Sequence, residues 1–170
     1  HGLVPVTRCL YDEGVRWFLV AKLYEADVIR QQFPKSKVLC MDTLFGDPAY
    51  DLVVSRGISQ AVFTLDMAQR LNDTAQRHNT RASVFIKVDT GLRRVGVHHE
   101  TAPDFIEAVC KLPHIKLEGL FSSFMQHPDE DQNMLLRFNE VASEVERRGI
   151  KVPLRSMAST NAIFHQPEAW

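Results

Sequence analysis

Five short apolar runs punctuate the chain, at residues 17–21, 37–41, 60–63, 82–88 and 117–124, with a weaker sixth at 154–158. Each is about the length of a strand. Most are apolar on both faces, as parallel strands covered on both sides are. The segments between them follow a helical period. Residues 131–148 place Met134, Leu135, Phe138, Val141, Ala142 and Val145 on one stripe, and Gly149 ends it. Thr101 is expected to cap a helix carrying Phe105, Ile106, Val109 and Leu112, and Asp66 one carrying Met67, Leu71 and Ala75. Residues 3–11 and 23–33 read as two further helices, and 48–55 as a short one.

Helix and strand therefore alternate. Successive strands start about 20 to 37 residues apart, which suits right-handed βαβ crossovers. Two architectures fit this order: an open doubly wound sheet and a (β/α)8 barrel. A dinucleotide-binding open sheet calls for a Gly-x-Gly-x-x-Gly turn after its first strand, and the chain has none. Six strands are also fewer than a closed barrel uses. Either the sheet is open or two strands are missing.

Composition narrows the function classes. Apolar residues make up 45% and charged residues 24%, as in ordinary globular proteins, and the net charge of -1 offers no electrostatic case for nucleic acid or an anionic membrane. No apolar run approaches the roughly 18 residues of a membrane span. The start, His1-Gly2-Leu3-Val4-Pro5, lacks Met and has neither the basic region nor the apolar stretch of a signal peptide. Cys9, Cys40 and Cys110 are odd in number and widely spaced, with no Cys-x-x-Cys pair and no Cys/His spacing for zinc. Buried free thiols, a cytoplasmic location and no metal site are the expectation.

In either architecture ligands bind beyond the C-terminal ends of the strands. That rule selects Ala21-Lys22, Asp42-Thr43 and the stretches 87–97, 122–127 and 156–161. In the first long stretch, Lys87 interrupts Val84-Phe85-Ile86 and Val88, so it buries a cation unless it is paired or modified. Arg94 follows shortly, a guanidinium suited to a fixed contact with an anionic or phenolic oxygen. Asp89-Thr90-Gly91 is also good chemistry for a plain surface turn. Ser159, Thr160 and Asn161 precede Ala162-Ile163-Phe164, where they can serve either as a helix cap or as a phosphate cradle. The seven histidines form no metal pattern. His98 and His99 would face opposite ways on a strand. His78, His114 and His165 read as surface or loop residues, and His127 alone has a plausible site position.

Lys87-Val88-Asp89-Thr90-Gly91-Leu92-x-Arg94-x-Gly96-Val97 resembles the K-x-D-T-G-M-x-R-x-G stretch of the alanine racemase family, barrel enzymes that use pyridoxal 5'-phosphate (PLP) and belong to PLP fold type III. Other stretches agree in order. His1-Gly2 before Val4-Pro5-Val6 is similar to the end of Y-G-H-G, and Trp17 to Ala21 with Glu25-Ala26 and Arg30 to the second strand and helix. Glu118 to Phe124 resembles E-G-L-x-[ST]-H-F, and Met157 to Ala169 resembles A-A-N-S-A-A…P-E-A.

The resemblance implies an incomplete (β/α)8 TIM-type barrel, strands two to seven of eight, as a single truncated PLP-binding domain over residues 1–170. The first strand and a C-terminal β domain would then be absent. It implies a PLP-dependent amino-acid racemase, an isomerase acting on an amino-acid substrate such as alanine and homodimeric when intact. It implies no nucleic-acid or membrane partner. Arg94 would bond the cofactor's phenolic oxygen, and Lys87, carbamylated, would hold Arg94. Thr160 would fall at the phosphate-binding serine and Ser159 at the asparagine before it, with His1 also near the cofactor. Ser123 would replace the histidine packed against the pyridine ring, and Ser156 the histidine opening the last motif. The lysine that anchors PLP would lie upstream of His1 and the catalytic tyrosine beyond Trp170, so no catalytic residue is expected within the chain, and it would be inactive alone. A related fold-type III lyase (D-amino-acid aldolase or dehydratase) and a non-catalytic PLP-binding or carrier protein are the alternatives.

Overall fold

Parallel strands that bury both faces need helices on one side and something else on the other, and the computed structural model, which describes residues 1–169, supplies both. Trp170, the last residue of the expected domain, lies outside the described residues. The order is α1 (Leu3–Asp12), β1 (Trp17–Val20), α2 (Leu23–Gln32), β2 (Lys37–Cys40), α3 (Asp47–Ser55), β3 (Ser59–Val62), α4 (Leu65–Arg77) and β4 (Ala82–Asp89). It continues through β5 (Val97–His98), α5 (Ala102–Cys110), β6 (Ile115–Phe121), α6 (Pro128–Arg147), β7 (Leu154–Ser156) and α7 (Thr160–His165). Six strands form one parallel sheet in the order β1-β2-β3-β4-β6-β7, and two-residue β5 pairs only with β4. The sheet is curled into part of a barrel with β1 and β7 as its edges.

Alternation along each strand splits the apolar residues into two cores. On the outer face Val84, Ile86 and Val88 of β4 join Phe18, Val20, Val38, Val62 and Leu120, packed against helix residues such as Ala26, Ile29, Leu71, Ile106, Met134, Phe138 and Val145. On the inner face a smaller cluster holds Leu39, Ala61, Phe85 and Phe121, with Trp17 packed against it. Its rings meet edge to face, Trp17 on Phe85 at 5.4 Å and Phe85 on Phe121 at 6.5 Å between centroids.

Between β4 and β6 the register shifts. Val84 faces Leu117, but Phe85 faces Gly119. The extra residue, Glu118, takes a hydrogen bond from Ser83 Oγ (3.2 Å) and pairs with Lys116 (2.5 Å). Without this bulge the inward positions of β6 would turn outward.

Four local expectations need correction. Asp66 lies in the first turn of α4, whereas Thr64, two residues earlier, is the cap, its hydroxyl accepting from Met67 N–H at 3.2 Å. Thr101 is at the N-cap of α5, but its hydroxyl bonds back to the His98 carbonyl, because Thr101 has helical dihedrals that point its oxygen away from the helix amides. Only Cys40 of the three thiols is buried; Cys9 is exposed because α1 turns that face to solvent, and Cys110 is partly covered. His98 and His99 do not point apart. The strand ends at His98, and the two rings stack at 4.5 Å.

Candidate active site

Lys87 sits near the C-terminal end of β4, on the inner face. The backbone then makes a tight excursion that Asp89 organises. Its Oδ1 accepts the N–H groups of Gly91 and Arg93, both at 3.0 Å, which stabilises a left-handed Arg93 with φ of 54°. Arg137 of α6 donates to the Thr90 carbonyl at 2.8 Å. Ser122, just past β6, donates to the Val88 carbonyl at 2.8 Å, so its oxygen is left to accept from the buried Thr90 hydroxyl at 2.9 Å. The return depends on Gly96, at φ of 134°, where a Cβ would lie 2.8 Å from Asp89 N. Val97 and His98 then pair with Val88 and Asp89.

This loop lays Arg94 and Val95 across the mouth of the barrel. Below them is a cavity of about 350 Å³, walled by Ala21, Met41, Ala61, Phe63 and Phe121, with Lys87, Arg94 and Ser123 as its polar members. Lys87 is only 4% exposed. Its Nζ donates to Ser123 Oγ at 2.7 Å and lies 4.8 Å from the Phe121 ring centroid. None of the lining side chains is a carboxylate. Burial, and next the positive charge of Arg94, pull the Lys87 ammonium from 10.5 down to about 8, against a weaker opposite pull from Asp89. The awkward lysine of the sequence is thus an amine with little to hold its proton.

Of the expected site residues, the fold brings Lys87, Arg94 and Ser123 together. It does not bring His1, Ser159 or Thr160 to the same cavity: His1 is exposed ahead of α1, Thr160 is the exposed first residue of α7, and Ser159 caps that helix by accepting from Ala162 N–H at 3.4 Å. His127 is exposed at the N-cap of α6, away from the cavity. Asn161 and His165 line a separate polar cavity with Asp131, Gln132 and Gln166. Sequence reasoning missed Arg137, and it placed Thr90 and Ser122 within the selected stretches without foreseeing that they hold the loop. The one available signal was a charged residue, Arg137, between Met134 and Phe138 beside an apolar stripe.

Replacing Asp89 by Ala is expected to lower stability by about 2 kcal/mol, since two backbone N–H groups lose an ionised acceptor. Amide exchange at Gly91 and Arg93 should quicken with it. Asp89→Asn, which keeps a carbonyl oxygen, should stay close to the parent; equal losses for the two variants would show that the carboxylate does not organise the loop.

A curled parallel β/α sheet with a basic, aromatic-walled cavity at its C-terminal strand ends defines a protein of the (β/α)-barrel class, a fold whose ligand sites lie at those strand ends. Residues 1–170 match the family described as Alanine racemase, N-terminal domain, and the chain belongs to that family. It is similar to the alanine racemase of Desulforamulus reducens, 32% identical over 175 residues, covering 100% of this chain and 47% of the relative. The alanine racemase of Syntrophobacter fumaroxidans is also 32% identical, with 99% and 46% covered. The solved alanine racemase of Clostridium difficile 630 superposes with a TM-score of 0.91 at 26% identity, over 99% of this chain and 45% of that one. That of Corynebacterium glutamicum gives 0.86 at 25%, over 99% and 48%. The chain spans about half the length of the relatives it matches.

Proposed function

We propose that this chain is the PLP-binding barrel portion of an amino-acid racemase of the alanine racemase kind, interconverting L- and D-amino acids. The observation that carries the reading is a buried Lys87 sharing an apolar, aromatic-walled cavity with Arg94 at the strand ends. The residues fit the cofactor. Phe63, Phe121 and Met41 offer flat apolar walls for a planar ring, and Arg94 offers a fixed cation for its phenolic oxygen. Bound there, PLP supplies the electron sink for a carbanion at the substrate's Cα.

The chain's own part is to hold and tune. Arg94 donates hydrogen bonds to the anionic oxygen. Lys87, whose buried ammonium gives up its proton more readily than a free lysine, would add CO2 through its neutral form and release a proton to solvent, which turns the unpaired cation into a carbamate anion for Arg94. Ser123 stands beside the ring where the family carries histidine. Thr160, with Ser159 and His1, would hold the phosphate through hydroxyl and N–H donors. Among the described residues, Lys87 is the only lysine lining the cavity. Committed to Arg94, it leaves no second amine there to anchor the cofactor, so these 170 residues alone do not racemise. The intact protein works on alanine or a close analogue, as a cytoplasmic homodimer.

Exchange of the alanine Cα proton in D2O, followed by NMR with the intact protein and PLP, tests this. Arg94→Gln should retain cofactor binding and slow exchange about 100-fold. An unchanged rate, or no exchange of any amino acid by the unaltered protein, refutes the reading.

A further inference from the structure

Two surroundings activate a lysine for attack on a carbonyl carbon: an apolar pocket that strips away water, and a neighbouring fixed cation. Lys87 has both. Its Nζ is held at 2.7 Å by Ser123 Oγ, which orients the amine within the cavity, and Arg94 lines the same cavity close enough for its charge to disfavour the ammonium. The six remaining lysines are differently placed. Lys22, Lys111 and Lys116 are paired with Asp42, Glu107 and Glu118, Lys37 lies over the Trp17 ring, and Lys35 and Lys151 are exposed to water. A molecule with both a carbonyl and a carboxylate finds complementary groups here, the amine of Lys87 for one and the guanidinium of Arg94 for the other.

We propose that Lys87 is a carbonyl-capturing residue, condensing as an imine with small anionic aldehydes and α-oxo acids that Arg94 holds in the barrel mouth. The nitrogen lone pair adds to the carbonyl carbon and the proton shed by nitrogen passes to the oxygen. A second proton lets that oxygen leave as water while the C=N bond closes. No oxidant or reductant takes part. CO2 competes for the same lone pair, so the capture is separable from the carbamate assigned to Lys87 above.

The test uses the full chain in CO2-free buffer with glyoxylate as probe and cyanoborohydride to reduce any imine, followed by peptide mass mapping. Carboxymethylation should concentrate on Lys87 despite its burial and rise with pH to half its maximum at about 8. Added bicarbonate should protect Lys87. Arg94→Gln alters an exposed residue, so it should keep the parent circular dichroism. It should cut Lys87 labelling by glyoxylate about tenfold more than labelling by propionaldehyde, since both lose the cation that helps lower the ammonium but only glyoxylate loses a charge-assisted contact. Modification spread over the surface lysines with Lys87 untouched overturns the inference. A carbamate signal from 13C-bicarbonate with no aldehyde capture overturns it alone and leaves the racemase reading standing. Capture without any carbamate supports it and removes the role given to Lys87 in that reading.

Discussion

Gly119→Ala is expected to lower the stability of this protein by about 3 kcal/mol, and Gly119→Val by more. A Cβ at position 119 would sit 2.4 Å from the Leu154 carbonyl oxygen and 2.6 Å from Phe85 Cε1. The Phe85 ring could swing aside only by giving up its edge contacts with Trp17 and Phe121. The Leu154 carbonyl cannot move without shifting β7, whose register with β6 pairs Gly119 with Leu154 and Phe121 with Ser156. Since β7 is held to the sheet by this single pairing, its loss exposes the last part of the barrel. Thermal unfolding should show a drop of about 2–4 °C for each kcal/mol in a chain of this size. A midpoint unchanged by alanine would mean that β6 and β7 do not approach so closely.

Lys87→Met is expected to act in the other direction at neutral pH. A lysine whose folded-state value has fallen from 10.5 to about 8 binds its proton less tightly in the fold than in the unfolded chain. The folded state is therefore penalised by about 3 kcal/mol below pH 8. The penalty fades as pH rises from 8 towards 10.5, because the folded amine is already neutral while the unfolded one still carries its proton. Methionine fills similar space and carries no charge, so the variant should unfold later at neutral pH, with the advantage shrinking as the solution becomes alkaline. Urea titrations across that range check it. A variant that is less stable at every pH would show that the Ser123 hydrogen bond outweighs the burial of the ammonium. Saturating bicarbonate should narrow the gap from the other side, by converting Lys87 to an anion that Arg94 can pair.

The sequence showed most of the fold because the strands are apolar on both faces, and the six runs match the sheet strands to within two or three residues. Ile115 was lost from β6 because exposed Lys116 interrupts the run. Two-residue β5 has no pattern of its own; it exists because Gly96 lets the chain pass beside Asp89. The capping errors share one cause. Thr64, Asp66 and Thr101 all carry the right side-chain chemistry, and only backbone dihedrals decide which oxygen faces the helix amides. At the site, Lys87 was legible as a charge out of place within an apolar strand. The cavity walls were not, since Ala21, Met41, Ala61 and Phe63 come from separate strand ends and meet only through the curl of the sheet.

The division of the apolar residues into two cores has a consequence for how such a molecule can change. The outer core joins strands β1 through β6 to their helices and carries most of the buried apolar side chains, whereas the inner one is four residues and a tryptophan. A sheet one backbone thick stands between them. Substitutions on its two sides share few direct partners, so their effects should add. The barrel mouth can then be recut for a new ligand while folding is guarded by side chains the ligand never meets. Selection on chemistry and selection on foldability act here on alternate residues of the same strand.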